Sequence, residues 1–244
     1  PFRQKETYNE LMSKIDNCDV MIVEGATGSG KSIVLTVLIQ EIYNYKKKIL
    51  ISQPRVVSII SSARIISKQL DVKIGQEVGY QFRGNHRESK DSSKILIHII
   101  IDYFLTRIYD KKAEFGDDED AGKRKSNVVY DIIIVDEVHE RKINMDVFLA
   151  IMKNTFESNK LNGIANNTKL ILLSATLNLN KFVDYFKDVA RVANMKVPGI
   201  AAELYHTYFS EDEKIEKTRQ MQFIFKIKKI IDSLLDNTYL EDHK

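Results

Sequence analysis

Apolar residues recur along this chain with two periods, and their alternation predicts strands interleaved with helices. Tyr8, Leu11, Met12 and Ile15 follow the i, i+3, i+4, i+7 spacing of a one-sided helix. The run DVMIV predicts a buried strand at 19–24, and SIVLTVLIQEIY a helix reaching about Tyr45. KILISQ (48–53) predicts a second buried strand. Pro54 is placed to open the helix PRVVSIISSARIISKQL, because the first helical turn does not need its N–H. EVGYQF (77–82) and KILIHI (94–99) predict short strands, the latter followed by a helix through Arg107. YDIIIVDE (130–137) is the most hydrophobic strand and ends in two acids. NMDVFLAIMKNTF predicts a helix, KLILLSAT (169–176) a strand and LNKFVDYF a helix. Several strands are apolar on both faces, which specifies an α/β fold with a parallel sheet and helices on both faces.

Two regions break this rhythm. DKKAEFGDDEDAGKRKSN (110–127) is an acidic block followed by a basic one with no apolar period, the pattern of a solvated insertion. After Val197-Pro198-Gly199 an alternating strand pattern, AELYHTYF, precedes a long Lys-rich helical pattern from Lys214 to Leu235. The expected domains are therefore residues 1–196 and, at 197–244, a hinge with the beginning of a second unit.

Composition narrows the class. Hydrophobic residues make up 43% and charged residues 29%, as in globular proteins, and the net charge of +3 permits a polyanionic partner without demanding one. The single cysteine, Cys18, excludes an internal disulfide framework. It points to an intracellular, reducing compartment, cytoplasmic or nuclear, and is expected as a small buried residue beside the first strand. No uninterrupted apolar span approaches about twenty residues, so no membrane helix is expected. With Pro1 in first place, we expect a piece of a longer protein.

The chemistry concentrates at two strand ends. GATGSGKS satisfies G-x-x-x-x-G-K-[ST] between a strand and a helix. Gly25, Gly28 and Gly30, with Ala26, Thr27 and Ser29, would wrap backbone N–H groups around phosphate where side chains would collide. Lys31 would reach the β- and γ-phosphates of ATP or another NTP, and Ser32 would give its hydroxyl to Mg²⁺. A phosphate loop needs a second metal ligand and a group to orient water. IIIVDEVHE supplies both at the end of a buried strand: Asp136 toward Mg²⁺ through its water shell, Glu137 toward the attacking water. His139, beside these acids, could carry a hydrogen bond from the nucleotide site to another domain.

Together these segments resemble a DEAH-box helicase of superfamily 2. DEVHERKINMDVFLAIM is similar to the family's DEAHER motif and the helix after it, and SQPRVVS to its segment gripping the nucleic-acid backbone. LDVKIGQEVGYQFR is similar to its VGY-x-[IV]-R stretch, LLSATLNLNKFVDYF to its SATL motif, and VPG to its hinge. The matches keep their order to about residue 209. The resemblance implies a P-loop, RecA-like first motor domain followed by the truncated start of a second. It implies a catalytic set of Lys31, Asp136, Glu137 and His139, and stacking of Arg64 on the nucleotide base, which would allow broad NTP use. It implies that Arg55 lies toward the nucleic-acid strand or the interdomain cleft and that Arg83 belongs to the nucleic-acid face, with Asp102 retained from the family's TDG motif. Ser174 and Thr176 would link hydrolysis to domain closure.

The departures lie mostly on the nucleic-acid side. Val56 stands where the family has a second arginine, Ile101 replaces the threonine of TDG, Val138 replaces alanine, and Ile200 stands where arginine is frequent. No QRxGRxGR-like run occurs. Its arginines can be worth about 10³–10⁵ in rate, so this piece is expected to bind NTP·Mg²⁺, hydrolyse it poorly and unwind nothing alone. The expected partner is RNA, as a single-stranded tail or a duplex, with DNA open, a protein activator allowed and a monomer favoured. Two rivals remain at this point: a P-loop ATPase not acting on nucleic acid, and an NTP-gated RNA-binding module without strand separation.

Overall fold

The computed structural model describes residues 5–25, 31–83, 85–87, 96–106, 130–175 and 180–197. All of these belong to the compact unit Pro1–Ile200; the 110–127 insertion, the Pro198-Gly199 hinge and everything after it lie outside the described residues.

In chain order the elements are α1 (Lys5–Ile15), β1 (Val20–Gly25), α2 (Lys31–Ile42), β2 (Ile49–Gln53), α3 (Val56–Leu70), β3 (Val78–Phe82), β4 (Asn85–Arg87) and β5 (Ile97–Ile101). After them come β6 (Ile132–Val135), α4 (Ile143–Leu161), β7 (Lys169–Ser174), α5 (Asn180–Phe186) and β8 (Val192–Val197). The described strands form one eight-stranded sheet in the order β4-β3-β5-β2-β6-β7-β1-β8. Every pairing is parallel except β3–β4, so the sheet is mixed where a parallel one was expected.

Both faces are buried because consecutive strand residues point to opposite sides. On one face Met21, Val23, Ile49, Ile51, Ile132 and Ile134 pack with Leu11 of α1, Leu35 and Ile39 of α2, and Ile59 and Ile66 of α3. On the other, Val20, Ile22, Leu50, Ile133 and Val135 pack with Phe148, Met152 and Phe156 of α4 and Phe186 of α5. Each such side chain contributes about 1.5–3 kcal/mol when fully buried, which explains why these strands read as unbroken apolar runs. Cys18 is buried at the foot of β1, and burial pushes its thiol pKa up. Among the described residues, no helix is long and apolar enough to cross a membrane.

Several boundaries differ from expectation. Met12 is 41% exposed; the buried line of α1 is Thr7, Leu11 and Ile15, a strict four-residue step that leaves Met12 on the rim. Pro54 does not open α3: Arg55 is extended (φ −132°, ψ 132°) and caps the helix, so helical geometry starts at Val56. Helix α2 stops at Ile42, because Asn44 and Tyr45 turn left-handed and the Tyr45 N–H closes on the Gln40 carbonyl. The KILIHI strand shifts forward to Ile97–Ile101 and is followed by a 3₁₀ turn at Asp102–Phe104. Strands β4 and β8 were not foreseen.

Candidate nucleotide site at the carboxyl edge of the sheet

Parallel pairing brings the C-terminal ends of the strands to one edge, the position at which open α/β sheets bind ligands. The register aligns Glu24 with Ser174, Ile51 with Ile134, and Gln53 with Ile101. The C-terminal ends of β1, β2, β5, β6 and β7 therefore lie along that edge.

Asp136 follows β6 directly. Its backbone N–H donates to the Ser52 carbonyl of β2 at 2.9 Å, which extends the strand ladder one residue and fixes where the carboxylate stands. Three donors converge on that carboxylate: the Ser32 hydroxyl on Oδ2 at 2.5 Å, the Gln53 amide on the same oxygen at 3.1 Å, and the Glu137 N–H on Oδ1 at 3.0 Å. Lys31, buried in the first turn of α2, donates from Nζ to the Gly25 carbonyl at 2.5 Å. Helix α2 thus ties the start of the glycine loop to the acidic strand end through two consecutive residues.

Glu137 has φ 53°, a left-handed conformation uncommon for a non-glycine residue, and Arg141 repeats it at φ 50°. Such residues cost on the order of 1–3 kcal/mol each and collect at functional turns. Between them Val138–Glu140 form a 3₁₀ turn whose Val138 is fully buried in the core. Burial, and next the negative charge of Asp136, raise the Glu137 carboxyl above its ordinary pKa, with Lys31 and His139 acting against them. Its Oε2 is buried without a hydrogen-bond partner among the described residues. His139 accepts the Ala175 N–H on Nδ1 at 3.5 Å, which joins the acidic turn to the end of β7 next to buried Ser174.

Arg55 and Asp102 belong to a second group farther along the edge. Arg55 Nη2 stands 3.2 Å from Glu140, and Asp102, whose side chain is 8% exposed, lies 3.3 Å from Lys142 Nζ. Arg64 on the outer face of α3 and Arg83 in the turn after β3 are exposed. Among the described residues, neither makes a side-chain hydrogen bond or ion pair to either group. Ala26, Thr27, Gly28, Ser29, Gly30 and Thr176 lie outside the described residues. Gln53, Glu140 and Lys142 were missed by sequence reasoning. A buried polar pair, Ser52-Gln53, closing an otherwise apolar strand was the one available signal for Gln53.

The carboxyl-edge geometry can be set beside known proteins. In solved structures, the Escherichia coli DEAH/RHA helicase HrpB superposes with a TM-score of 0.59 at 22% identity, over 78% of this chain and 22% of that one. The E. coli DExH-box NTPase HrpB does so with a TM-score of 0.60 at 23% identity, over 79% and 21%. This likeness shows the fold, a RecA-like α/β sheet. In sequence, the ATP-dependent RNA helicase HrpA of Borreliella burgdorferi is 33% identical over 186 residues, 76% of this chain and 20% of the relative. The chain spans 24%, 14% and 20% of the length of three curated relatives, under a quarter in each case. The profile described as DEAD/DEAH box helicase matches residues 3–184, most of the chain, and the protein therefore belongs to the DEAD/DEAH box helicase family.

Proposed function

We propose that this chain is the first motor domain of an ATP-dependent RNA helicase, whose parent protein hydrolyses NTP to translocate on and unwind RNA. Family membership implies dependence on NTP and Mg²⁺. The observation that carries the reading is the Ser32–Asp136 hydrogen bond, which joins a phosphate-loop hydroxyl to a strand-end carboxylate across 104 positions of sequence. The donor set suits a hard cation bound by oxygen, and Glu137 Oε2, without a hydrogen-bond partner among the described residues, leaves a polar atom for a ligand or water to satisfy.

Ser32 and Asp136 would hold the magnesium, which when bound neutralises charge on the β- and γ-phosphate oxygens. Lys31 exchanges the Gly25 carbonyl for phosphate. Glu137 orients the attacking water and takes its proton, a role that its raised proton affinity favours. His139 passes the state of that turn to Ala175 and so to the Ser174–Thr176 segment. Arg64 stacks on the base, while Arg55, Arg83 and Asp102 serve the nucleic-acid face, where phosphate contacts position the strand without reading its sequence. Residues 197–244 form the hinge and the opening of the second motor domain of an intracellular protein.

The test is equilibrium binding of a fluorescent ATP analogue to the 244-residue chain in Mg²⁺. Lys31→Ala and Asp136→Ala should each weaken binding by about 10–100-fold, the value of hydrogen bonds to charged groups. Undiminished affinity in Lys31→Ala overturns the reading.

A further inference from the structure

Lys142, the extended residue that precedes α4, has its ammonium in contact with three separate elements. Nζ donates to the Pro54 carbonyl at 2.9 Å, lies 3.3 Å from Asp102 Oδ2 at the end of β5, and lies 3.6 Å from Glu140 Oε2 in the turn after β6. The other oxygen of Glu140, Oε1, stands 3.2 Å from Arg55 Nη2. One carboxylate is thus shared between two cations. The deeper cation also holds the carbonyl immediately before Arg55.

The two cations differ in how they are held. Lys142 is 37% exposed and faces nearly buried Asp102, whereas the Arg55 side chain is 74% exposed. An ion pair as exposed as Arg55–Glu140 is weakly held, so a phosphate group can compete for the guanidinium. Lys142 keeps Glu140 and the Pro54 carbonyl in place while it does so. We infer that Lys142 is a positioning residue of the nucleic-acid face: it fixes the backbone before Arg55 and the carboxylate beside it, so that Arg55 is presented to the phosphodiester backbone of a single strand. This rests on the role proposed above for Arg55.

The experiment measures binding of a fluorescein-labelled oligouridylate to the 244-residue chain by anisotropy at fixed salt, with ATP-analogue affinity and thermal midpoint followed in parallel. Lys142→Met should weaken RNA binding by about ten-fold with nucleotide affinity unchanged, and adding Arg55→Met should cost little more, since the two residues act as one unit. Lys142→Arg should restore binding. Asp102→Asn combined with Lys142→Met removes the unpaired buried carboxylate; that pair should regain the thermal midpoint without regaining RNA affinity. The inference is overturned if Lys142→Met binds RNA like the parent chain, if the two methionine losses multiply, or if the Asp102→Asn pair recovers RNA affinity, which would make Lys142 a counter-ion only. An unsubstituted chain that does not bind the RNA overturns the nucleic-acid reading and this inference with it.

Discussion

His139 Nδ1 lies 3.3 Å from Glu137 Oε2, yet the two do not share a hydrogen bond. The imidazole nitrogen is accepting the Ala175 N–H, so its lone pair is engaged and no proton is available there for the carboxylate. The penalty on the charged carboxylate comes from burial and from the neighbouring Asp136, not from the imidazole.

Glu137→Gln should therefore retain nucleotide binding and lose turnover by about 10²–10⁴-fold, the usual contribution of a general base. It should also melt higher than the parent chain at neutral pH, because the neutral amide removes a charged carboxylate from a site where burial and Asp136 penalise it. The sign with pH follows from the raised carboxyl. Below the unfolded-state value of about 4.3 the native chain carries no penalty; the penalty grows as pH rises through the folded-state value. Thermal scans should show the variant's advantage at pH 7 shrinking toward pH 4.

Asp19 behaves in the opposite sense. Its carboxylate accepts the Arg191 backbone N–H at 2.9 Å on Oδ2 and the guanidinium on both oxygens at 3.0 and 2.9 Å, fastening the start of β8 to β1. Burial alone would raise its pKa, but the Arg191 bonds win and lower it. Its stabilising effect is present above the unfolded value of about 3.9 and is lost as pH falls through the lower folded value. Asp19→Asn should cost about 1–2 kcal/mol in urea unfolding at pH 7, discounted because Arg191 is largely exposed, and the gap should close as the medium is acidified.

The aromatic pair Phe156 and Phe186 meets edge to face, with ring centroids 6.2 Å apart, where α4 and α5 cover the sheet. Phe156→Ala should destabilise the chain by about 3–5 kcal/mol in chemical denaturation, the cost of an unfilled core cavity. Leu161→Ser at the end of the same helix, where the leucine is 81% exposed, should stay within about 0.5 kcal/mol.

Arg64 projects from the solvent face of α3 and, in the proposed reading, stacks on the nucleotide base. Arg64→Ala should lower affinity for fluorescent ATP and GTP analogues to a similar extent, by about three- to ten-fold. A loss confined to one base would show a hydrogen-bonding role instead.

The central strands were legible because each is buried on both faces and so forms an unbroken apolar run; β1, β2, β6 and β7 all have this character. The edge strands lack it. In β8 only Met195 and Val197 are buried, among Asn194 and Lys196, and β4 is the polar triplet Asn85-His86-Arg87. At the site, Lys31, Ser32, Asp136 and Glu137 announced themselves through local spacing next to a strand. Arg55 and Asp102 were named only through the resemblance, and Glu140 and Lys142 not at all, because strand order assembles that cluster from the ends of β2, β5 and β6.

Strand β8 runs beside β1 in full register, with Val192 opposite Val20 and Val197 opposite Gly25. The last rung of that ladder is level with the first glycine of the phosphate loop, and Lys196 adds an ion pair to Glu24 one rung below. Tension applied to the backbone at Val197 would thus be borne first by β1, the strand that leads into the glycine-rich segment. In the proposed reading, mechanical load at Val197 and the grip on phosphate would fall on neighbouring peptides, since Val197 and Gly25 share the last rung.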